Sequence, residues 1–442
     1  MRKTDETLMR LAEDMVAYGR KKGADEVEVS IGEGSEFSVD VRQGDIEKLV
    51  EAGSKGLRLK VILDNKVATA SSSDLSEDTL HHLVGNAIAR AKVSNPDPFA
   101  GLPEKEEILT DPEKLRMYDP KIVEMPPEKK IAAAKATEAV CLKDKRIKKS
   151  YGASFGTYIG TSYLANSKGF HGAYSQTTCS CGIYLQAGEG DNLFDEGKYD
   201  YSRNLDNMMQ PEAIGKEAVH RVTRLLGAKK VKTQNVPVVL EPEMAASLLG
   251  FLYSCINGNA VYLKQTFLAD KLGQTIGNNH VTIIDDGLMP GVPGAKPFDS
   301  EGVPVRKTMV IKNGVLKNYL MNTYAARKLK AKSTGNASGP NNLYLKAGKY
   351  SPEEIIKSVD NGLLLTGTIG QGLVPTTGDI SRGAFGLWIE NGKIAYPVAE
   401  ITISGNLGEI LNQVDMVGSD LEFKRSVNAP TIKVSGITVG GT

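Results

Sequence analysis

Imidazoles and thiols are the side chains that most readily hold a metal or attack a carbonyl, and this chain has few of either. Its five histidines are His81, His82, His171, His220 and His280. His81 and His82 are adjacent on a predicted helix, about 100° apart around its axis, so they do not easily face one ion. The other three fall on separate predicted elements and read as surface or satisfied residues. Cys179 and Cys181 form a C-x-C on an alternating strand, which turns both thiols to one face. Without a second pair, that spacing reads as core packing. Gly152-Ala153-Ser154-Phe155-Gly156 matches G-x-S-x-G, a motif that needs a strand running straight into a helix behind the serine. Here the flanks alternate as a strand and another strand follows, so Ser154 is not read as a nucleophile. Gly367, Gly370 and Gly372 lack the order and following helix of a dinucleotide loop; they read as a loop that could border a peptide groove. Polar clusters remain at turns and strand ends: Asp285-Asp286-Gly287, Asp299, Arg306 and Asp379-Ile380-Ser381-Arg382. They suit Asx-turn and ion-pair scaffolding, or the lining of a cavity or subunit contact.

The bulk numbers narrow the classes. A length of 442 residues suggests about three domains at ~150 residues each. Lys plus Arg number 54 against 53 Asp plus Glu, so no global positive field draws the chain onto nucleic acid, and direct DNA binding is not expected. No apolar run approaches the ~18 residues of a membrane span. The opening MRKTDETLMRLAEDMV is charged throughout and lacks the apolar core of a signal peptide. Four cysteines do not make a disulfide framework. A cytoplasmic, reduced protein is the expectation.

The elements that must position these residues follow from periodicity. Leu8, Leu11, Ala12, Met15 and Val16 predict an amphipathic helix over Glu6 to Lys22, stopped by Gly23. Alternating strands follow at Val27–Ile31, Phe37–Val41 and Leu57–Leu63. A second helix starts at a capping-box-like Asp74/Glu77. Residues 1–93 thus read as an α+β domain. Seven prolines between Ser94 and Pro127 mark 94–127 as a linker or extended crossing segment. Residues 128–232 read as a second α+β unit: a helix from Glu128 to Cys141, strands at Tyr151–Tyr158, Ser162–Ala165 and Ser175–Leu185, then a helix with Pro211 at its start. Two helix-flanked antiparallel units in succession hint at duplication. Residues 233–442 form a β-rich C-terminal domain. Within it Phe385, Leu387 and Ile389 alternate with Trp388, and Asn391-Gly392 predicts a type I′ hairpin turn.

The segment Thr376 to Ile410 resembles the C-terminal signature of the TldD/PmbA family, once called modulators of DNA gyrase and grouped with metallopeptidases. Ile284-Asp285-Asp286-Gly287 through Gly294, Pro297-Phe298-Asp299 through Arg306, and Asn313-Gly314-Val315-Leu316 through Gly335-Asn336-Ala337 agree with it. The resemblance is collinear from about Gly23 to Thr442. In the family's active branch a helix carries His-Glu-x-x-x-His; its imidazoles hold zinc, its glutamate activates a water, and a cysteine near the C-terminus supplies a further ligand. Lined up between Val236–Leu240 and Thr282–Asp286, the motif falls on Gly250-Phe251-Leu252-Tyr253-Ser254-Cys255. Gly250 and Cys255 stand where the histidines would be and Phe251 where the glutamate would be. The cysteine position falls near Leu421 to Arg425, which holds none. The resemblance therefore implies the PmbA (TldE) branch, with degenerate motif positions, no catalytic residue and no metal or other cofactor of its own. Zinc is expected only in a metal-bearing partner subunit. It also implies a TldD-like paralogue as heterodimer partner, or a homodimer when alone, and a peptide taken up as an extended strand. The implied work is cytoplasmic processing of unfolded or leader-bearing peptides. Two rivals are a stand-alone peptidase rebuilt around Cys255 and a non-proteolytic binding protein linked to gyrase or its inhibitors.

Overall fold

A computed structural model describes residues 5–190 and 192–441. The N-terminal half is built on long strands. Helix α1 (Glu6–Lys21) is followed by β1 (Glu26–Arg42), β2 (Asp45–Leu63), β3 (Lys66–Ser72) and α2 (Glu77–Val93). After the proline-rich stretch come α3 (Pro120–Val123), α4 (Pro127–Cys141), β4 (Ile147–Asn166), β5 (His171–Glu189), β6 (Asn192–Ser202) and α5 (Pro211–Thr223). The six strands form one antiparallel sheet in the order β3-β2-β1-β4-β5-β6, joined through β1 and β4 from Glu28↔Asn166 to Val41↔Ala153. The two α+β units therefore share a sheet, and their strand order mirrors about that joint. One face is apolar and covered by α1 and α2 at one end, where Val27, Val29 and Leu59 are buried. At the other end α4 and α5 cover Phe155, Cys181 and Ile183.

Two local expectations shift. The strands read as Tyr151–Tyr158 and Ser162–Ala165 are one continuous strand, β4, because Gly160 between them stays paired in the sheet on both sides. Helix α2 is capped at Ser76 rather than Asp74; Asp74 instead accepts from the Ser76 N–H at 2.9 Å and the Thr79 hydroxyl at 2.7 Å. The proline-rich stretch is a crossing segment with its own buried anchors, Leu102, Leu115, Met117 and Ile122. Arg327 and Tyr324 of the C-terminal half fasten it, donating to the carbonyl of Leu102 at 2.6 Å and to Asp97 at 2.7 Å.

The C-terminal half runs β7 (Gln234–Leu240), α6 (Pro242–Ile256), α7 (Gly258–Tyr262), β8 (Ile283–Asp286), β9 (Lys307–Lys312), β10 (Val315–Leu316), α8 (Thr323–Lys328) and β11 (Leu343–Leu345). Then come α9 (Pro352–Lys357), β12 (Asn361–Ile369), β13 (Leu373–Val374), β14 (Asp379–Glu390), β15 (Lys393–Asn406), α10 (Leu407–Asn412), β16 (Val414–Val417), β17 (Val427–Asn428) and β18 (Ile432–Gly440). Strands β7, β12, β14, β15 and β18 pair in a ring, so the sheet closes into a small barrel with β13 and β16 attached. Closure removes the open edges that a five-stranded sheet would otherwise present. The alternation read from the sequence sorts the two sides. Trp388, Leu363, Leu365 and Val238 fill the inside, while Leu387, Ile389, Leu364 and Val239 meet Ile355 and Val359 outside. Asn391 and Gly392 take φ of 51° and 72°, as the predicted hairpin requires. A second, mixed sheet runs β10-β9-β8-β11-β17. Residues of α6, the strands of both sheets and α10 share one apolar core. No helix among the described residues is long and apolar enough to cross a membrane.

Candidate functional site

Helix α6 starts on Pro242 at its first position, where a missing N–H costs nothing. Its N-cap Glu241 and first-turn Glu243 tie it to the end of α5: Arg221 grips Glu243 through two bonds of 3.1 Å, and Arg224 grips Glu241 at 2.6 and 2.8 Å. Further along, Phe251 and Cys255 are 3% and 0% exposed and belong to the domain core, and burial pushes the Cys255 thiol up. Gly250 lies on another side of the helix, half-buried, with open space where a Cβ would be. Five residues at ~100° each separate Gly250 and Cys255 by about 140° around the axis. Leu421 to Arg425 is held by Lys424, which pairs with Asp200 at 2.8 Å, and by Phe423 edge-on to Tyr344. A catalytic zinc needs about three protein donors. Glycine and phenylalanine supply none and Cys255 faces the core, so these residues do not fit the metal. Among the described residues, no three His, Cys, Asp or Glu side chains group closely enough to hold an ion.

The other sequence candidates divide between two regions of the C-terminal half. Asp285 on β8 is buried and accepts from Asn336 Nδ2 at 2.8 Å and from the N–H and Nδ2 of Asn341 at 2.8 and 2.9 Å. Burial outweighs those donors and pushes its carboxyl up to about 6. Asp299 accepts from the N–H groups of Glu301, Val303 and Ala337 and, for the same reason, is also pushed up to about 6. Asp286 accepts from the Leu288 N–H at 3.0 Å and faces Lys307 at 3.5 Å. These carboxylates buckle loops. Arg306 pairs with Glu106 of the crossing segment at 3.1 Å. It also lines a cleft of about 1390 Å³, open mouth included, with Lys307, Lys332 and Asp270 at a largely apolar wall.

The second region is the barrel rim. Asp379 is exposed and held below the usual carboxylate range by bonds from Thr377 at 2.6 Å and Asn406 at 3.0 Å. Ser381 is exposed. Arg382 donates to the Gly370 carbonyl at 3.2 Å and lies 3.5 Å from Ser247 Oγ on α6. It stands at a narrow apolar crevice where α6 meets the end of the barrel. Neither that crevice nor the barrel closure behind it was expected from the sequence. The crevice walls come from six strands and two helices, each reading alone as ordinary core.

The remaining chemistry-bearing residues are dispersed. His81 stacks on Tyr18 with ring centroids 3.8 Å apart, and His171 faces Glu13 at 3.4 Å. His220 sits in the last turn of α5, and the His280 N–H caps back onto Asn278. Cys179 and Cys181 share the buried sheet face, and burial pushes both thiols up. Ser154 lies inside β4, opposite Asp40 and Gly182, with no helix behind it.

Comparison with known proteins agrees along the whole chain. Family models match at residues 27–91 (PmbA/TldA metallopeptidase domain 1), 120–226 (central domain) and 233–441 (C-terminal domain). The chain is 36% identical over 429 residues to Metalloprotease PmbA of Escherichia coli O157:H7, covering 96% of this chain and 94% of that one. It is 31% identical over 440 residues to a Metalloprotease PmbA homolog of Haemophilus influenzae, covering 99% and 97%. A candidate modulator of DNA gyrase from Bacteroides thetaiotaomicron superposes with a TM-score of 0.93 at 30% identity, over 99% of this chain and all of that one. TldE of Thermococcus kodakarensis has the same fold, with a TM-score of 0.86 at 24% identity, over 98% and 100%.

Proposed function

This chain belongs to the PmbA/TldD metallopeptidase family, and on that premise we propose that it is a partner subunit without a zinc site of its own. It works beside a metal-bearing TldD-like paralogue in cytoplasmic peptide processing, and forms a homodimer when that paralogue is missing. The observation that carries the reading is helix α6, which presents Gly250, Phe251 and Cys255 where the family's active branch has histidine, glutamate and histidine. The substrate is a peptide held as an added strand; in support, short β13 leaves one edge without a partner strand among the described residues. A rebuilt thiol site is disfavoured, because Cys255 is fully buried and its thiol pushed up. The near-neutral charge balance gives no support to a direct nucleic-acid role.

The test is reconstitution. The purified chain, the metal-bearing paralogue and their mixture are each incubated with unstructured peptides and followed by mass spectrometry. Cleavage by the mixture that exceeds both separate proteins and stops with a chelator is the expected result. Chelator-sensitive cleavage by this chain alone would overturn the reading.

A further inference from the structure

The geometry points to the barrel-mouth crevice as a receptor for the C-terminal residue of a peptide, its aliphatic side chain inside and its carboxylate on Arg382. The inference rests on the reading that this chain handles peptides, but not on its pairing with another subunit. Mouths of small barrels are recurrent ligand sites, because strand ends diverge there while the interior stays apolar. Here Leu365, Ile380, Ile403 and Ile437 from four strands and Met244 and Leu248 from α6 make the wall. One charged side chain, Arg382, lines it. The guanidinium has only neutral partners, the Gly370 carbonyl and a long contact to Ser247, and no carboxylate lies within ion-pair reach among the described residues. A lone cation beside an apolar hollow selects a ligand whose negative charge and aliphatic tail are one residue apart. A chain-terminal Leu, Val or Ile meets that description; an aspartate or glutamate side chain does not.

The reading that this chain handles peptides favours a peptide over a free fatty acid as the occupant. The Gly-rich turn borders the site, its Gly370 carbonyl accepting from Arg382.

The test is fluorescence polarisation with the chain alone and an N-terminally labelled Gly-Ser-Gly-Ser-Leu peptide, as free acid and as C-terminal amide. No cleavage and no second subunit are involved, so failure here leaves the processing role standing. A hydrogen bond to a charged group supports an acid-over-amide preference of about tenfold or more. Arg382→Gln should remove that preference, weakening the acid about tenfold to the level of the amide, which itself changes little. Ser247→Phe, on the exposed side of α6, should weaken both by narrowing the mouth. Equal binding of acid and amide, no change in either variant, or displacement of the peptide by octanoate as effectively as by unlabelled peptide acid would each overturn the inference.

Discussion

Positions 250 and 251 are neighbours in the degenerate motif, yet the structure predicts opposite responses when each becomes alanine. Gly250 is mid-helix with ordinary helical φ, and a Cβ there meets nothing within 4 Å. Gly250→Ala should therefore gain the helix-propensity difference, about 0.5–1 kcal/mol. Phe251 is 3% exposed in the domain core. Its truncation removes a buried ring and leaves a cavity, at a cost of about 3–5 kcal/mol. For a domain of this size each kcal/mol moves the midpoint by about 2–4 °C, so the expected shifts are about +2 °C and about −10 °C. The assay has a built-in reporter: Trp388, the chain's only tryptophan, is buried in the same core as Phe251. Its fluorescence follows the C-terminal domain without signal from the rest. A loss of more than ~1 kcal/mol in Gly250→Ala would refute the packing argument, since helix propensity predicts a gain. So would an unchanged midpoint in Phe251→Ala.

Further outcomes follow from the same contacts. All four cysteines are buried, so a thiol reagent should label the native chain only as fast as it unfolds; rapid labelling of one site would contradict this. Asp285 is pushed up to about 6 from an unfolded value near 3.8. Its native state thus holds a proton more tightly, and the stability this contributes is fully present below the unfolded value and lost as pH rises through about 6. Against the non-titrating Asp285→Asn variant, the wild-type advantage should grow by about 1–1.5 kcal/mol from pH 7 to pH 5 in urea melts; a flat or shrinking difference would refute the assignment. Arg221→Gln breaks the two-bond grip on Glu243 that ties α5 to α6. Because Glu243 is 39% exposed, the cost should be about 1–2 kcal/mol after screening, and no shift would show the tie is idle.

Local pattern carried the sequence reading where one segment decides its own structure. The apolar run Met244 to Tyr253 reads as buried helix, and Asn391-Gly392 as a hairpin, because each depends on spacing or φ alone. Ser154 could be recognised as a strand residue for the same reason. What pairs with what was not legible. β7 and β12 lie side by side although Val238 and Leu363 are far apart in the chain, and alternation specifies a face but no partner. Barrel closure with the crevice at its end, and the joint between β1 and β4, were hidden on that account. The polar loops illustrate a second limit. Asp285 and Arg382 look alike as loop residues, but one is consumed by three donors in the core and the other stands at a cavity mouth. Only the packed structure separates them.

The central claim is that this chain has no site for the family's metal. Purified chain loaded with excess zinc, desalted and assayed for metal by mass spectrometry should retain far less than one ion per chain, with no rise in the Trp388 melting midpoint. One tightly held zinc per chain, lost on replacing Cys255, would contradict it.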